Sequence, residues 1–366
     1  MASIKVAVVG IGNCASSLIQ GIAHYRKHKS ANGLIQEVIG DYLVGDIEIV
    51  LGIDIDQRKV GAALGEAIFA APNNTKRIDP EMAPNRAPVI MGKCLDGVAD
   101  HMREAGDNGF IVCAQDEAEQ SDIVAALRAY DVDILVNFLP VGSHDACRFY
   151  MECALEAGVG VVNSIPVFIA SDPAWEARFR ERGLPIIGDD IKAQMGATIV
   201  HRMLSQLFAA RGVRVDHTYQ LNTGGNTDFL NMMDRDRIGS KKTSKTDAVQ
   251  SALGTRLADE NIVIGPSEYV PWQKDNKVCF LRMEGQQFGG IPMNVEMRLS
   301  VEDSPNAAAC VVDAVRYCKL AMERGMAGAL TVPSAVYCKH PPVQIPEEEA
   351  ARLLDLEFGA LSQAAE

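Results

Sequence analysis

The sequence predicts an α/β fold in which a Rossmann-type, doubly wound parallel sheet is joined to a second domain of the α+β type. Short apolar runs alternate with helix-like segments through the first half of the chain, as in parallel sheets covered by helices on both faces. From about Arg211 the pattern changes to longer stretches of alternating apolar and polar residues, which indicates a second sheet. A chain of 366 residues with 48% hydrophobic content is long enough to bury two cores.

The strands predicted for the first domain are five apolar runs, at residues 4–9, 47–53, 134–138, 159–162 and 184–187. Each run ends in small or polar residues, which are Gly10 and Gly12, Asp54, Asn137 with Pro140, Asn163 with Ser164, and Asp189 with Asp190. Ligands of open parallel sheets bind beyond the carboxyl ends of the strands. We therefore expect these residues to face one shared cleft.

The strands predicted for the second domain are three alternating stretches, at residues 213–221, 278–283 and 293–301. Residues 285–292, rich in glycine and glutamine, indicate a hairpin between the last two strands. A helix is predicted over residues 307–324 and closed by Gly325, and another helix is predicted to begin at residues 346–349 (PEEE), a proline followed by three glutamates.

The formal net charge of −13 at pH 7 argues against a nucleic-acid partner, because neutralising phosphates requires a basic face. A small anionic substrate stays compatible with this charge if positive groups are concentrated inside a pocket. The sequence has no run of about 18 apolar residues, and its first ten residues lack the features of a signal peptide. We therefore expect no membrane partner and a cytoplasmic location.

The nine cysteines include no C-x-x-C pair and lie mostly in apolar stretches. Reduced, buried thiols are therefore expected. A zinc site built on cysteine is disfavoured, because no two candidate ligands have the usual close spacing.

A dinucleotide-binding loop is predicted at residues 8–15 (VVGIGNCA), which match the pattern G-x-G-x-x-A between a strand and a helix. Gly10 would allow the tight turn, Gly12 would let the backbone approach a pyrophosphate, and Ala15 would keep helix and strand close. Asn13 and Cys14 complete the loop, and the helix N-terminus would supply N–H donors to the phosphates.

Asp54 is the candidate acidic partner of the ribose hydroxyls, although it lies 44 positions after Gly10 (54 minus 10) rather than about 20. An insertion between Tyr25 and Asp46 would explain this spacing. The alternative is that Asp54 caps a helix that starts near Gln57. If Asp54 binds ribose, its carboxylate repels a 2′-phosphate and favours NAD over NADP. The other cofactor candidates follow the later strands and are Leu139, Pro140, Asn163, Ser164 and Asp189.

Residues 188–198 (GDDIKAQMGAT), where a strand end meets a helix start, are a candidate phosphate site. Free backbone N–H groups near Gly196 and Thr198 could hold a phosphate there. An ordinary Asp N-cap is the alternative explanation of the same residues.

Residues 239–245 (GSKKTSK) would place Lys241 and Lys245 on one helix face, at i and i+4. Like charges at this spacing are mildly destabilising. A solvated basic face is the usual meaning of a lysine run, but in an acidic protein a bound anion would neutralise the pair. Residues 223–231 (TGGNTDFLN) are typical of a turn that approaches a ligand closely.

More polar groups follow at residues 274–277 (KDNK), Asp303 and Lys339. Lysines gathered around one phosphate and one carbonyl can transfer protons, because burial and neighbouring cations lower the pKa of an ammonium group from about 10.4. Neighbouring ammonium groups can meanwhile stabilise a developing enolate.

Taken together, these segments resemble the inositol-phosphate synthase family, and in particular its shorter prokaryotic branch. The most specific matches are residues 225–228, 240–245 and 275–277, which correspond to the elements G-N-x-D, S-K-x-x-S-K and D-S-K. The chain departs from eukaryotic members because it lacks their longer glycine–asparagine loop and carries residues 193–195 (AQM) in place of Ser-Gly-Gln.

The resemblance implies an NAD-binding domain made from both termini, at residues 1–198 and 305–366. It implies an inserted α+β domain at residues 199–304, for catalysis and for assembly of a homotetramer. The implied reaction is a redox-neutral cyclisation of glucose 6-phosphate. NAD takes a hydride from C5, a base removes a proton from C6, the enolate attacks the C1 aldehyde, and the retained NADH reduces the C5 ketone.

The resemblance also implies a role for each candidate residue. The proton-transfer and oxyanion group would include Lys241, Lys277 and Lys339, and Asp190 and Asp303 would orient or deprotonate these catalytic lysines. The substrate contacts would be Lys245, at the phosphate, with Asn226, Asp228, Asp275, Gly196 and Thr198. Family members often need a divalent or monovalent cation, whose ligands the sequence does not assign. A simple NAD-dependent dehydrogenase and a non-catalytic NAD-sensing protein are the alternative functions.

Overall fold

The computed structural model describes residues 3–80, 82 and 85–359, so residues 1–2, 81, 83–84 and 360–366 of the expected first domain lie outside the described residues. The strands are β1 (Ile4–Val9), β2 (Val38–Ile39), β3 (Tyr42–Leu43), β4 (Ile47–Asp54), β5 (Val89–Met91), β6 (Ile134–Asn137), β7 (Gly160–Asn163), β8 (Pro185–Ile187), β9 (Arg214–Gly224), β10 (Ile262–Tyr269), β11 (Asn276–Gln286), β12 (Pro292–Glu302) and β13 (Gly328–Ala329). The helices are α1 (Asn13–His28), α2 (Leu64–Ala67), α3 (Asp100–Glu104), α4 (Gln120–Ala129), α5 (His144–Ala157), α6 (Pro173–Glu181), α7 (Ala197–Ala210), α8 (Thr227–Asn231), α9 (Gly239–Gln250), α10 (Asp303–Glu323), α11 (Thr331–Tyr337) and α12 (Glu347–Phe358).

Seven parallel strands in the order β13-β8-β7-β6-β1-β4-β5 form the larger sheet. Successive residues of β1 point into two cores. Val6 and Val8 pack with α1 and α10, whereas Ala7 and Val9 pack with α4 and α5. This confirms the predicted doubly wound architecture, whose strand order reverses beside β1, where such folds bind their ligands.

The five predicted strands of this sheet are all present, as β1, β4, β6, β7 and β8. The sequence did not reveal β5 and β13, which have only three and two residues and therefore carry little periodic pattern. The predicted insertion is also present, as a ribbon of β2 and β3 between α1 and β4. It explains the long spacing between the glycine loop and Asp54.

The turn from β1 into α1 depends on Gly10. Its φ is +86°, and a Cβ atom at this position would lie 2.6 Å from the carbonyl oxygen of Phe138. Any other residue would meet both a left-handed backbone and a backbone clash. The chain can therefore turn tightly and begin α1 at Asn13, directly beside the point where the strand order reverses.

A second sheet has the order β10-β9-β11-β12, with β11 antiparallel to both neighbours and β10 parallel to β9. Three of its strands and the hairpin were predicted; β10 was missed because Gly265 and Pro266 interrupt its apolar run. One face packs against α7, which contacts β9 and β11, and against α9, which contacts β10. Leu221 and Phe280, which are directly paired across β9 and β11, are exposed.

The helix predicted at residues 307–324 starts four residues earlier, as α10, and Gly325 follows it with a φ of +67°. It begins immediately after β12 and packs against α1, β6, β7 and β8 of the larger sheet. The chain thus returns to the first sheet, where α11, α12 and β13 follow. As predicted, α12 begins with three glutamates. None of the helices in the described ranges is long and apolar enough to span a bilayer.

Candidate functional site

One large cleft, with about 1670 Å³ of empty space, lies between the glycine loop and the second sheet. Its first end is bounded by the carboxyl ends of the parallel strands, including Gly10, Gly12 and Asp54. Its second end is bounded by residues from α7, α8, α9 and the start of α10. The predicted cofactor loop and the predicted lysines therefore face one space.

The glycine loop presents an uncapped helix N-terminus to this cleft. The 16-residue helix α1 has no side-chain cap and no acidic residue in its first turn. Gly12, Asn13 and Cys14 line the cleft, and a Cβ atom at Gly12 would meet nothing within 4 Å. Unsatisfied N–H donors thus face open space, which suits a pyrophosphate. Ala15 is fully buried, in keeping with close packing of helix and strand.

Asp54 lines the cleft and connects the glycine loop to the end of β4. Its Oδ2 accepts a hydrogen bond from Ile11 N (2.7 Å), and its Oδ1 accepts from the N–H groups of Ile55 (2.7 Å) and Asp56 (2.9 Å). The alternative of a helix cap is wrong, because the next helix in the described chain is α2, which begins ten residues later at Leu64. The carboxylate is thus held at the mouth of the predicted ribose site.

Lys59 and Asn73 were missed by the sequence analysis, yet both line the cleft beside the glycine loop. Asn73 Nδ2 donates to Ile11 O (3.0 Å), and Lys59 Nζ donates to Asn73 Oδ1 (3.2 Å). Lys59 is 2% exposed, and its Nζ lies 3.9 Å from Asp54 Oδ2, so its positive charge lies beside the carboxylate of the predicted ribose site. The amide-rich residues 72–75 (PNNT) were the available signal.

Among the residues that follow the later strands, Leu139, Pro140, Ser164 and Asp190 line the cleft. The expectation that Asn137, Asn163 and Asp189 also face it is wrong, because all three are fully buried. The reason is a network in which the Asp189 carboxylate accepts hydrogen bonds from Asn163 and from the backbone N–H groups of residues 169–171, at 2.7–3.1 Å. Burial raises the pKa of Asp189 to about 6.

The candidate phosphate segment contains a second open helix N-terminus. Gly196 is the N-cap of the 14-residue helix α7, which has no side-chain cap and no acidic residue in its first turn. The alternative of an Asp N-cap is therefore wrong. Gly196 and Thr198 both line the cleft, so the free N–H groups of α7 are available to an anion.

Helix α9 carries two lysines into the cleft on one face, as their spacing predicted. Lys241 Nζ donates to Asp228 Oδ2 (2.6 Å). Lys245 is 6% exposed and makes no ion pair or hydrogen bond with another described residue. Burial, together with the charges of Lys277, Lys241 and Lys339, lowers the pKa of Lys245 to about 7.

Lys339 is paired with Asp190 at the edge of α9. Its Nζ donates to Asp190 Oδ1 (2.8 Å) and to Ile191 O (2.6 Å), while Ser244 Oγ donates to Asp190 Oδ2 (2.7 Å). Burial raises the pKa of Asp190, but Lys339 and Lys241 outweigh it, so that the pKa falls below its usual value. Asp190 is therefore an ionised partner that orients Lys339.

Lys277 forms the corresponding pair with Asp303, with Nζ 3.1 Å from Oδ1. Burial lowers the pKa of Lys277, but the charge and hydrogen bond of Asp303 outweigh it and raise the pKa above its usual value. Both residues line the cleft. The second end of the cleft thus contains three lysine–carboxylate pairs and one lysine without a carboxylate partner among the described residues.

Of the remaining candidates for substrate binding, two line the cleft and one does not. Asn226 and Asp228 line the cleft, as does Gln220, a buried residue of β9 that was not predicted. Asp275 does not line the cleft and is only 1% exposed. Its carboxylate accepts hydrogen bonds from other residues of the protein. The sequence pattern around β11 does not indicate these partners, because they lie in distant segments.

Metal ligands were not predicted, and the described part of the chain contains no group of three or more His, Cys, Asp or Glu residues arranged to hold a metal ion. The cation suggested by the resemblance stays a prediction. All nine cysteines are unpaired thiols, as expected.

Comparison with known proteins gives consistent matches. The family model described as myo-inositol-1-phosphate synthase matches residues 196–304. The inositol-3-phosphate synthases of Mycolicibacterium smegmatis and Corynebacterium glutamicum are 46% and 47% identical to this chain, over 96% of it and 97% of their own length. That of Mycobacterium tuberculosis strain H37Rv is 46% identical over 96% of this chain and 95% of its own.

Two solved structures agree with these sequence matches. A crystal structure of Ari2 is 31% identical, with a TM-score of 0.76 over 98% of this chain and all of its own. A myo-inositol-1-phosphate synthase-related protein from Thermotoga maritima has a TM-score of 0.81 over 98% of both chains. At 24% identity, the second likeness shows a common fold.

Proposed function

Since the chain belongs to the myo-inositol-1-phosphate synthase family, we propose that it binds NAD and cyclises glucose 6-phosphate to inositol 3-phosphate without net oxidation. The observation that carries this proposal is the shared cleft, in which an uncapped nucleotide-type loop and four lysines face the same space. A simple dehydrogenase needs one general base, whereas three lysine–carboxylate pairs facing one cleft favour a reaction with several proton transfers.

The cofactor end of the cleft fits NAD. The free N–H groups of α1 and the open space at Gly12 suit a pyrophosphate, and Asp54 is fixed where it can accept hydrogen bonds from ribose hydroxyls. The carboxylate would repel a 2′-phosphate, so NAD is favoured over NADP. When bound, NAD supplies the reversible hydride transfer at C5 that the cyclisation requires.

The phosphate of the substrate would bind between the N-terminus of α7 and Lys245. Gly196 and Thr198 offer backbone donors there, and the lysine lacks a carboxylate partner of its own among the described residues. A dianion would neutralise Lys245 and relieve its repulsion from the other three lysines. This would fix one end of the sugar chain and orient the reacting carbons.

The lysine–carboxylate pairs would transfer protons and stabilise negative charge at the oxygens of the reacting carbons. Lys277 would pass a proton to Asp303 Oδ1, 3.1 Å from its Nζ, as it takes the proton of the C5 hydroxyl, and the two transfers would reverse when the C5 ketone is reduced. Lys339, held by Asp190, and Lys241, held by Asp228, would stabilise the enolate oxygen and the C1 alkoxide that forms on ring closure. Each carboxylate accepts a hydrogen bond from its lysine and so orients the Nζ atom toward the substrate.

We propose the expected domain bounds and assembly on the same grounds. The first sheet is built from residues before α7 and after β12, which supports an NAD-binding domain at residues 1–198 and 305–366 around a domain at 199–304. The exposed face of the second sheet carries Leu221, Phe280 and Val263. An apolar face of this kind is typical of an interface, which supports assembly into a homotetramer.

The proposal is tested with glucose 6-phosphate deuterated at C5, incubated with the protein and NAD. Phosphorus and proton NMR should show inositol phosphate that retains the deuterium, and absorbance at 340 nm should show no NADH accumulating over many turnovers. Stoichiometric release of NADH with an oxidised sugar phosphate would instead identify a simple dehydrogenase. No conversion despite NAD binding would favour a sensing protein.

A further inference from the structure

Asp275 is a buried carboxylate between the two ends of the cleft. It is 1% exposed and does not line the cleft, although it lies only two residues before Lys277. Burial and the charge of Asp303 raise its pKa, so the position is an unfavourable one for a carboxylate. The cost of burying this carboxylate is offset by the hydrogen bonds that it accepts, which an apolar residue could not replace.

Five hydrogen bonds converge on this carboxylate, from four separate segments of the chain. The donors are Asn13 Nδ2 (3.1 Å), Thr75 Oγ1 (2.9 Å), Asn226 Nδ2 (3.0 Å), Ser304 N (3.2 Å) and Ser304 Oγ (2.8 Å). Asn13 belongs to the glycine loop and Thr75 to the segment that packs against it. Ser304 is next to Asp303 at the start of α10, and Asp275 O also accepts a hydrogen bond from Asp303 N (2.9 Å).

The cofactor loop has a second link to the same network. Asn13 and Asn74 are joined by two hydrogen bonds of 2.8 Å, from Asn13 Nδ2 to Asn74 Oδ1 and from Asn74 N to Asn13 Oδ1. Asn74 Nδ2 in turn donates to Gly225 O (3.1 Å). The glycine loop is therefore joined by side chains to the turn that carries Asn226 and, through Asp275, to Asp303.

We propose that Asp275 is a positioning residue that couples the occupation of the cofactor loop to the geometry of the Lys277–Asp303 pair. A bound cofactor would fix Asn13, whose side chain donates a hydrogen bond to Asp275. Asp275 in turn accepts hydrogen bonds from Ser304 and from Asp303 N, and it lies two residues before Lys277. The conformational entropy of the Lys277–Asp303 pair is then already lost before the sugar phosphate binds. The two ligands therefore bind cooperatively. This inference rests on the proposed function, because it requires a dinucleotide and a sugar phosphate as the two ligands.

The coupling is measured with NADH and glucitol 6-phosphate, an open-chain polyol that NADH cannot oxidise. Calorimetric titration gives the Kd of glucitol 6-phosphate without and with saturating NADH, and the ratio is the coupling factor. We expect a factor of about 5–150 for the wild type and a factor near 1 for Asp275→Asn. In this variant the amide nitrogen replaces either Oδ1, where it faces the donors of Asn13 and Asn226, or Oδ2, where it faces the backbone N–H of Ser304, so the network loses hydrogen bonds in either orientation.

Asp313→Asn is the matched control, because Asp313 is also a fully buried carboxylate, paired with Arg316 and Tyr337 outside the cleft. It should lower Tm and leave the coupling factor at the wild-type value. Ser304→Ala is a second variant that keeps the Asp275 carboxylate and removes one of its donors, so it tests the link even if Asp275→Asn does not fold. It should lower the coupling factor.

Four outcomes would overturn the inference. They are a coupling factor near 1 in the wild type, an unchanged factor in Asp275→Asn, an unchanged factor in Ser304→Ala, or an equal loss in Asp313→Asn. Failure of wild-type protein to bind NADH or glucitol 6-phosphate at all would instead contradict the proposed function, and the inference would fall with it.

Discussion

At the scale of single residues, Lys245 differs from the other lysines of the cleft because no carboxylate among the described residues neutralises it. With a pKa lowered to about 7, the side chain is mostly neutral at pH 8 in the free protein. A phosphate dianion favours the charged form and raises the pKa again. The substrate site should therefore take up a proton when it is filled.

We expect glucitol 6-phosphate binding at pH 8 to be accompanied by uptake of about one proton. Calorimetry in two buffers with different ionisation enthalpies measures this number directly. Lys245→Met should reduce the uptake to near zero and weaken binding. Lys242→Met, which alters an exposed neighbour on the same helix, is the control and should leave the uptake unchanged. Uptake that persists in Lys245→Met would assign the titration to another group.

Lys277 is expected to act on the reacting atoms rather than on the phosphate. Lys277→Met should lower kcat by about 10²- to 10⁴-fold, as for loss of a general acid or base, while NAD binding is kept. Lys245→Met should mainly raise KM, with some loss of kcat because phosphate binding helps to orient the carbons.

Lys319→Met provides the control for these kinetics. Lys319 is also partly buried and paired with a carboxylate, Asp133, at 2.7 Å, but it lies on α10 outside the cleft. Steady-state kinetics of this variant should match the wild type. If Lys277→Met turned over at a near-normal rate, that lysine would have no part in the proton transfer.

At the scale of secondary-structure elements, the start of α12 holds together the helices that carry the phosphate site. Glu347 Oε1 accepts hydrogen bonds from Arg202 Nε on α7 (2.5 Å) and Lys192 Nζ (3.2 Å). Arg202 also donates to Ala248 O on α9 (2.5 Å). Arg202 and Lys192 are 1% exposed, so Glu347 compensates two buried cations from a helix far away in the sequence.

Glu347→Ala should therefore destabilise the protein strongly. Breaking a buried ion pair from one side costs about 3–5 kcal/mol, and because Glu347 keeps 16% exposure we expect the lower end of this range in urea denaturation followed by circular dichroism. Glu349→Ala removes an exposed pair with Arg352 in the same helical turn and should change little. Equal effects of the two variants would show that the buried contacts do not matter for stability.

At the scale of the whole molecule, one face of the second sheet exposes apolar side chains, among them Leu221, Phe280 and Val263. In a monomer these side chains would be in contact with water. Phe280 lies between Leu221 on β9 and Arg298 on β12, and it is 43% exposed. A charge at this position would oppose burial against a second copy of the chain.

Phe280→Glu should therefore lower the mass of the assembly measured by light scattering after size-exclusion chromatography. Leu356→Glu alters an exposed apolar residue of α12 and should leave the mass unchanged. If Phe280→Glu had the same mass as the wild type, the interface would have to lie elsewhere on the molecule.

The parts of the site that could be predicted are those with a local cause. The apolar runs of β1, β4, β6, β7 and β8 place their polar ends at one edge of a sheet, and the left-handed turn at Gly10 admits only glycine. The spacing of Lys241 and Lys245 fixes their common face on a helix. Each of these properties follows from local sequence, although the clash with Phe138 that also excludes a side chain at Gly10 arises between distant segments.

Tertiary structure decided which of these groups face a ligand and which are used by the protein itself. Asp189 and Asp190 are neighbours, yet the first is enclosed by N–H donors of residues 169–171 and the second pairs with Lys339. Likewise Asp275 is buried in a network, whereas Lys59 and Asn73 reach the cleft. Ion pairs, burial and the lowered pKa of Lys245 arise between segments far apart in the sequence, and their strength depends on distances and dielectric surroundings that only packing sets.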